Sequence, residues 1–313
     1  MESLLNLTVI ADFLGSSLRM AVPLTFATIG GMMSERSGVY NIGLEGMLLL
    51  GAFGAAVGAF VMHTPFGGVL LGALLGVTGG LFLAVLAVSL RVNQLVAGIA
   101  INMFAIGLTS FLSRVVFGVK ATTMSLPGFK PFAIPLLSKI PVIGPVFFHQ
   151  DLLVYAMYGA IPLLYWLLFY TPWGLNIRAV GEYPRAADTA GVSVYAIRYG
   201  CVMTSGLLAG LGGCHLVLSQ VFLFTEHMSA GKGFIALAAI ILGRWNPIGG
   251  FFACFLFGAC EALQLRLQFY HPEIPYQIFT MLPYVASILA LIGIVGKANP
   301  PASAGIPYVR EGK

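Results

Sequence analysis

The side chains able to do chemistry are few, and most lie where hydrocarbon is expected. Asn41 and Glu45 stand at the head of an apolar run beginning at Leu44. Asn93, Gln94 and Asn102 mark the run that starts at Gln94. His215 and Gln220 lie in a later run, and Glu261 and Gln264 in one further on. A polar group in hydrocarbon is costly and tends to face a bundle interior or a cavity. Asn102, flanked by Ile, Met and Phe about two turns beyond Gln94, suits hydrogen bonding to a polar, uncharged solute, and equally a tie between helices. Glu45 and Glu261 have the chemistry to hold a coupling ion, but their places near segment ends suit buried ion pairs or caps. His215 lies deep in its run, as a pathway residue or a helix–helix hydrogen bond. His63, His149, His227 and His271 fall at predicted membrane boundaries. There is no GxxxxGK[ST], HExxH or GxSxG, and no carboxylate pair on one helix. No catalytic residue, metal or cofactor is expected. Cys201, Cys214, Cys254 and Cys260 sit singly in apolar runs as small core residues.

The elements that must position these groups follow from composition. Of 313 residues, 58% are hydrophobic and 9% charged, against roughly 25% charged in soluble domains. That balance predicts an all-α polytopic membrane protein with about 8–10 transmembrane helices, one of them short or broken. The apolar runs are Phe13 to Met33, Leu44 to Met62, Phe66 to Leu90, Gln94 to Gly118, Leu152 to Tyr170, Ile197 to Leu223, Gly233 to Leu242, Ile248 to Phe269 and Gln277 to Gly296. They form one transmembrane domain over 1–313: a first half of about 13–170, a polar segment 173–198, a second half of about 197–296 and a tail 297–313. Gly233 to Leu242 gives only about 15 Å of helix, half a bilayer. Val119 to Gln150 holds five of the 17 prolines and little polar filler, so it is expected to fold back on the membrane. Spacings such as Gly54 to Gly58, Gly72 to Gly76 and Gly206 to Gly210 are packing signals. The N-terminus lacks a basic n-region and a cleavage site, so no signal peptide is expected.

The Lys and Arg excess, 16 against 11 Asp and Glu, is scattered singly between apolar runs, which speaks for membrane orientation and against nucleic acid. With 173–198 cytoplasmic, nine cations (Arg36, Arg91, Arg178, Arg185, Arg198, Arg244, Lys297, Arg310 and Lys313) fall on that side and five (Lys120, Lys130, Lys139, Lys232 and Arg266) opposite. Arg19 and Arg114 remain inside helices. Within the polar segment, Pro184 suits a first helical position and Gly191 the left-handed residue past the end. The helix between them rises only about 10 Å. Ala186, Ala187 and Ala190 share a smooth face able to lie in a partner's groove, while Arg185 and Asp188 share another. A short likeness between Gly43 to Gly68 and Gly231 to Gly250, entering the membrane from opposite sides, suggests an inverted-topology repeat.

Three ordered motifs, ERSGVYNIGLEG, AVGEYPRAADTAGVS and GKGFIALAAIILGRWNPIGG, resemble the permease subunits of bacterial ABC importers, in the branch shared by ribose-type sugars, branched-chain amino acids and nucleosides. The likeness runs from about Ala21 to Gly296 and is greatest to the shorter permease of nucleoside-type, basic-membrane-protein-family importers. It implies alternating access for a small polar solute, a nucleoside first and a simple sugar next. It also implies an ABC ATPase subunit, a second permease (a different chain or a copy), an extracytoplasmic substrate-binding protein, and a multi-pass place in the bacterial cytoplasmic membrane with the C-terminus inside. Gly181, Glu182, Pro184, Arg185, Ala186, Ala187, Asp188, Ala190 and Gly191 would then form the ATPase-coupling segment. Permeases of this kind carry EAA, three residues, then Gly. Ala186, Ala187 and Gly191 hold that spacing, but Arg185 stands where Glu is usual, leaving any particular salt bridge to the ATPase open. Asn41, Glu45, Asn93, Gln94, Asn102 and His215 are candidates for the translocation path. An ion-gradient-driven transporter or channel of similar topology is the alternative, since the chain has no nucleotide site of its own.

Overall fold

Helix boundaries follow local capping chemistry. A computed structural model describes residues 7–118, 125–135, 137–141, 143–271, 273–293 and 299–310; Lys120, Lys297 and Lys313 lie outside them. The helices are α1 (Leu7–Arg36), α2 (Leu44–Met62), α3 (Pro65–Ala84), α4 (Gln94–Phe117), α5 (Ile143–Phe147), α6 (Leu152–Tyr170), α7 (Pro172–Glu182), α8 (Pro184–Thr189), α9 (Val194–His215), α10 (Lys232–Leu242), α11 (Pro247–Tyr270), α12 (Tyr276–Thr280) and α13 (Leu282–Gly293). Thr64, Thr171 and Asn246 each cap a helix whose next residue is Pro. Asp151 caps α6 by accepting from Leu153 N–H at 2.9 Å. These side chains take up donors that a helix start leaves unpaired. π-helical turns, Val85–Ser89 and Leu216–Val221, prolong α3 and α9.

Among the described residues, seven helices are long and apolar enough to cross a membrane, and Lys232–Leu242 and Tyr276–Ala290 are shorter apolar helices. The protein is a multi-pass, all-α membrane protein. Its outer surface is apolar, with Phe66, Leu70, Met103, Phe111, Trp166, Phe252 and Ile292 exposed on the long helices and α13. Inside, small residues let backbones touch. A side chain added at Gly76 would collide with the Gly206 carbonyl, and one at Gly206 with the Gly76 carbonyl. The Gly-rich faces of α2, α3 and α9 therefore pack backbone against backbone. One two-stranded pairing, β1 (Phe132–Ala133) with β2 (His149–Gln150), is antiparallel.

Most of the arginines assigned above to one side do gather at one end, here the basic end. Arg36 donates to the Trp245 carbonyl at 3.1 and 2.9 Å, and Arg36 and Arg178 lie over the Phe169 ring. Arg91 reaches Tyr195, and Arg310 pairs with Asp188. At the far end Arg114 pairs with Glu226. The Pro-rich segment packs back there: Leu126 and Phe129 are buried, and their N–H groups donate to Phe222 and Leu218 carbonyls at 2.8 Å.

Residues 37–43, between the first two apolar runs, do not form an exposed loop. Ser37, Val39 and Asn41 are wholly buried, so the chain re-enters the bundle after α1 and starts α2 in its interior. Glu45, at the head of α2, accepts from Gly231 and Gly233 at the head of α10. From that shared level α2 runs toward the far end beside α3, and α10 runs toward Trp245 at the basic end. The two similar stretches thus meet at their heads and point in opposite directions.

Candidate functional site

The short helix α8 is built as its sequence requires. Tyr183 breaks α7, Pro184 opens α8, Ala190 caps it, and Gly191 sits at φ +85°. Val192 N–H returns to the Ala187 carbonyl at 3.0 Å, closing the helix by the glycine-dependent route. Arg185, Ala186, Thr189, Ala190 and Gly191 are exposed. Ala187 is not part of that face: it is buried with Val180, Val194 and Tyr308. Ala187 thus anchors the six-residue helix to its neighbours. Asp188 is half-buried and pairs with Arg310 at 3.1 Å. Gly181 lies so close to the Arg36 carbonyl that a Cβ there would collide, and Glu182 accepts from Ala302 N–H at 3.2 Å. Of the nine segment residues, then, Gly181, Glu182, Ala187 and Asp188 hold the head in place. Pro184 and Gly191 bound α8, and Arg185, Ala186 and Ala190 face outward.

The six interior candidates are not one site. Around residues 40–46, Asn41 Nδ2 donates to Ser205 Oγ at 2.8 Å, and Gln94 Oε1 accepts from Tyr40 N–H at 2.8 Å. Asn102 uses both ends of its amide, accepting from Gly46 N–H at 2.8 Å and donating to the Ile42 carbonyl at 2.9 Å. Glu45 accepts from Ser229 hydroxyl (2.5 Å), Gly231 N–H (2.9 Å) and Gly233 N–H (2.7 Å), and so caps the broken helix α10. Beside it Lys232 pairs with Glu261. Asn93 stands apart as the exposed N-cap of α4. His215 belongs to a separate cluster, 3.4 Å from Asp151 and 3.4 Å from Gln220, whose Nε2 also donates to the Arg19 carbonyl at 2.9 Å. Burial alone would raise the Asp151 carboxyl, but His215, Ser219 and Leu153 N–H outweigh it and hold it below the usual range. Two polar atoms of the first group are buried without a partner, Asn41 Oδ1 and Gln94 Nε2. Among the described residues no group of three or more His, Cys, Asp and Glu is placed to hold a metal ion.

The family described as branched-chain amino acid transport system / permease component matches residues 13–294. The chain belongs to this permease family. It is 41% identical over 310 residues to the guanosine ABC transporter permease protein NupQ of Bacillus subtilis, covering 94% of this chain and 95% of that one. To the nucleoside ABC transporter permease protein NupC of Lactococcus lactis it is 39% identical over 302 residues, covering 93% and 94%. To the putative glucose ABC transporter permease protein TsgC13 of Haloferax volcanii it is 36% identical over 266 residues, covering 82% and 78%. No solved structure matches the chain. A subunit of this kind is a permease and not itself an enzyme.

The permease also uses residues that sequence reasoning passed over. Trp245 Nε1 donates to Glu35 Oε2 at 2.6 Å, joining the loop after α10 to the end of α1. Tyr40, Ile42, Leu95, Leu237, Ile241 and Trp245 wall a cleft of about 380 Å³ near the basic end. The signal was present, since Glu35 and Tyr40 lie in ERSGVYNIGLEG and Trp245 in GRWNPIGG. Only the fold brings the two motifs together.

Proposed function

We propose that this permease is the shorter of two in an ATP-driven, binding-protein-dependent importer of nucleosides, with simple sugars the second substrate class. The supporting observation is full-length likeness, at 41% and 39% identity, to two permeases whose names specify guanosine and nucleosides. The sugar reading rests on the putative glucose permease. The basic end is the cytoplasmic one, following the bias of Arg over both ends. That orientation puts α8 and residues 299–310 in the cytoplasm and the start of α1 outside. The exposed face of α8 docks in a separate ATPase subunit, and an extracytoplasmic binding protein delivers solute at the far end. The path runs between the two permeases, beside α10 and residues 40–46. A short helix beginning inside the bundle is how transporters build such paths. Asn41 and Gln94, each with an unpaired buried polar atom, are the path residues best supplied to meet a solute. Asn102 and Glu45 hold the surrounding framework.

The test is reconstitution of the permease in liposomes with its partner permease, ATPase and binding protein. Uptake of labelled guanosine that requires ATP, competes with other nucleosides and exceeds glucose uptake is expected. Uptake driven by an ion gradient without the ATPase would overturn the reading. Glucose uptake exceeding guanosine uptake would move the assignment to sugars.

A further inference from the structure

The last described segment, residues 299–310, returns to the basic end and is fastened to the α7–α8 head. Ser303 donates to the Gly181 carbonyl through its N–H (2.9 Å) and its hydroxyl (2.6 Å). Arg310 pairs with Asp188 of α8, and Tyr308 is buried among Val180, Ala187 and Val194. Arg198, itself buried, donates to the Ile306 carbonyl at 3.1 Å and to Ser303 Oγ at 3.4 Å. A buried guanidinium needs such acceptors, so the segment is a fixed part of the head.

Fastened this way, the segment and α8 leave between them a cleft of about 400 Å³ walled by Tyr183, Pro184, Arg185, Ile306, Pro307 and Val309. Tyr183, Ile306 and Val309 are 73%, 58% and 50% exposed. Side chains as exposed as these on α3 and α4 belong to membrane-crossing helices, whereas α7, α8 and residues 299–310 lie outside every candidate span. Because Tyr183, Pro184 and Arg185 belong both to the cleft and to the α8 turn, a partner seated on α8 covers the cleft as well.

We propose that this cleft is the second half of the ATPase-docking surface, and that the ATPase subunit gripping α8 also seats an apolar side chain between Tyr183 and Val309. The proposal rests on the reading of α8 as the coupling helix. Two photo-crosslinking positions in the importer, expressed with its own ATPase, separate the claims: p-benzoylphenylalanine at Val309 and at Ala190. Both are expected to give adducts whose crosslinked peptides belong to the ATPase. An Ala190 adduct to the ATPase with a Val309 adduct to the second permease, to lipid, or to nothing would overturn the cleft and leave α8 standing. Absence of ATPase adducts at both positions would overturn the coupling helix itself. The pair Ile306→Asp with Val309→Asp should lower ATP-driven uptake at least tenfold and release the ATPase during purification, at unchanged permease level in the membrane. Unchanged uptake and co-purification would also overturn the cleft.

Discussion

Replacing Asn102 by Leu removes an amide that binds two backbone groups of the re-entrant segment, Gly46 N–H at 2.8 Å and the Ile42 carbonyl at 2.9 Å. Leu has the same branched four-atom skeleton as Asn, so the first loss is one of hydrogen bonding. A buried backbone group left unpaired costs about 1–3 kcal/mol in a water-soluble core. Ties between membrane helices measure about 0.6–2 kcal/mol each, because the separated helices find other partners. Two such ties give about 1–4 kcal/mol, enough to lower the apparent melting temperature of the purified permease by several degrees. Asn102→Asp should do at least as much harm, since it keeps an acceptor for Gly46 but sets a second oxygen against the Ile42 carbonyl. Thermal unfolding in detergent, followed by intrinsic fluorescence and paired with uptake measured across substrate concentrations, reads both possible roles. A tie predicts a lower melting temperature and fewer working transporters with KM unchanged. An unchanged melting temperature with a raised KM would refute the reasoning and place Asn102 against the solute.

Three further outcomes follow from the same geometry. Glu45→Ala leaves Ser229 hydroxyl, Gly231 N–H and Gly233 N–H without their acceptor at the head of α10. It should destabilise more than Glu45→Gln, which keeps one oxygen, and protease sensitivity of the 225–231 loop would rank them. Gly76→Val should abolish accumulation of folded protein, because the new side chain meets the Gly206 carbonyl, whereas Gly107→Val, with open space around it, should accumulate normally on membrane immunoblots. Asp151 has a depressed folded-state pKa, so its contribution to stability is present above the ordinary carboxylate pKa of about 4 and is lost as pH falls through the lower folded value. Asp151→Asn should flatten the dependence of melting temperature on pH below 4, and an unchanged slope would count against the Asp151–His215 pair.

Features fixed by near neighbours were legible in the sequence. Leu44–Met62 and Leu152–Tyr170 are helices over the spans their apolar runs predict, and α8 starts at Pro184 and is closed at Gly191. Each boundary depends on a cap, a proline or a glycine within a turn. The illegible features depend on partners far along the chain. Composition marks residues 37–43 as a polar break, but their burial is decided by Gln94, Asn102 and Ser205. Ala186 and Ala187 are the same residue type side by side, and only Val194 and Tyr308 determine which turns inward. Asn102 lies in an apolar run whether it ties helices or meets solute, and only the groups at both ends of its amide distinguish the two. Nothing local in the tail says that Arg198 needs its Ile306 carbonyl and Ser303 hydroxyl.

Those distant contacts link the head to the broken helix. Gly181, at the end of α7, rests on the Arg36 carbonyl. Arg36 holds the Trp245 carbonyl, and the Trp245 indole holds Glu35. Trp245 follows α10, whose other end is gripped by Glu45, and Glu45 opens the Gly-packed helix α2. The steps between elements are a close backbone contact at Gly181 and hydrogen bonds at Arg36, Trp245 and Glu45, and the remaining steps follow the chain. On the proposed docking at α8, α7 and the end of α1 supply the contacts by which a displacement would pass to α10. The close contacts among α2, α3 and α9 oppose any movement of α2. Glu45 holds one end of α10 and Arg36, through the Trp245 carbonyl, holds the other, so α10, which borders the proposed path, is tied both to the α8 end of the bundle and to α2.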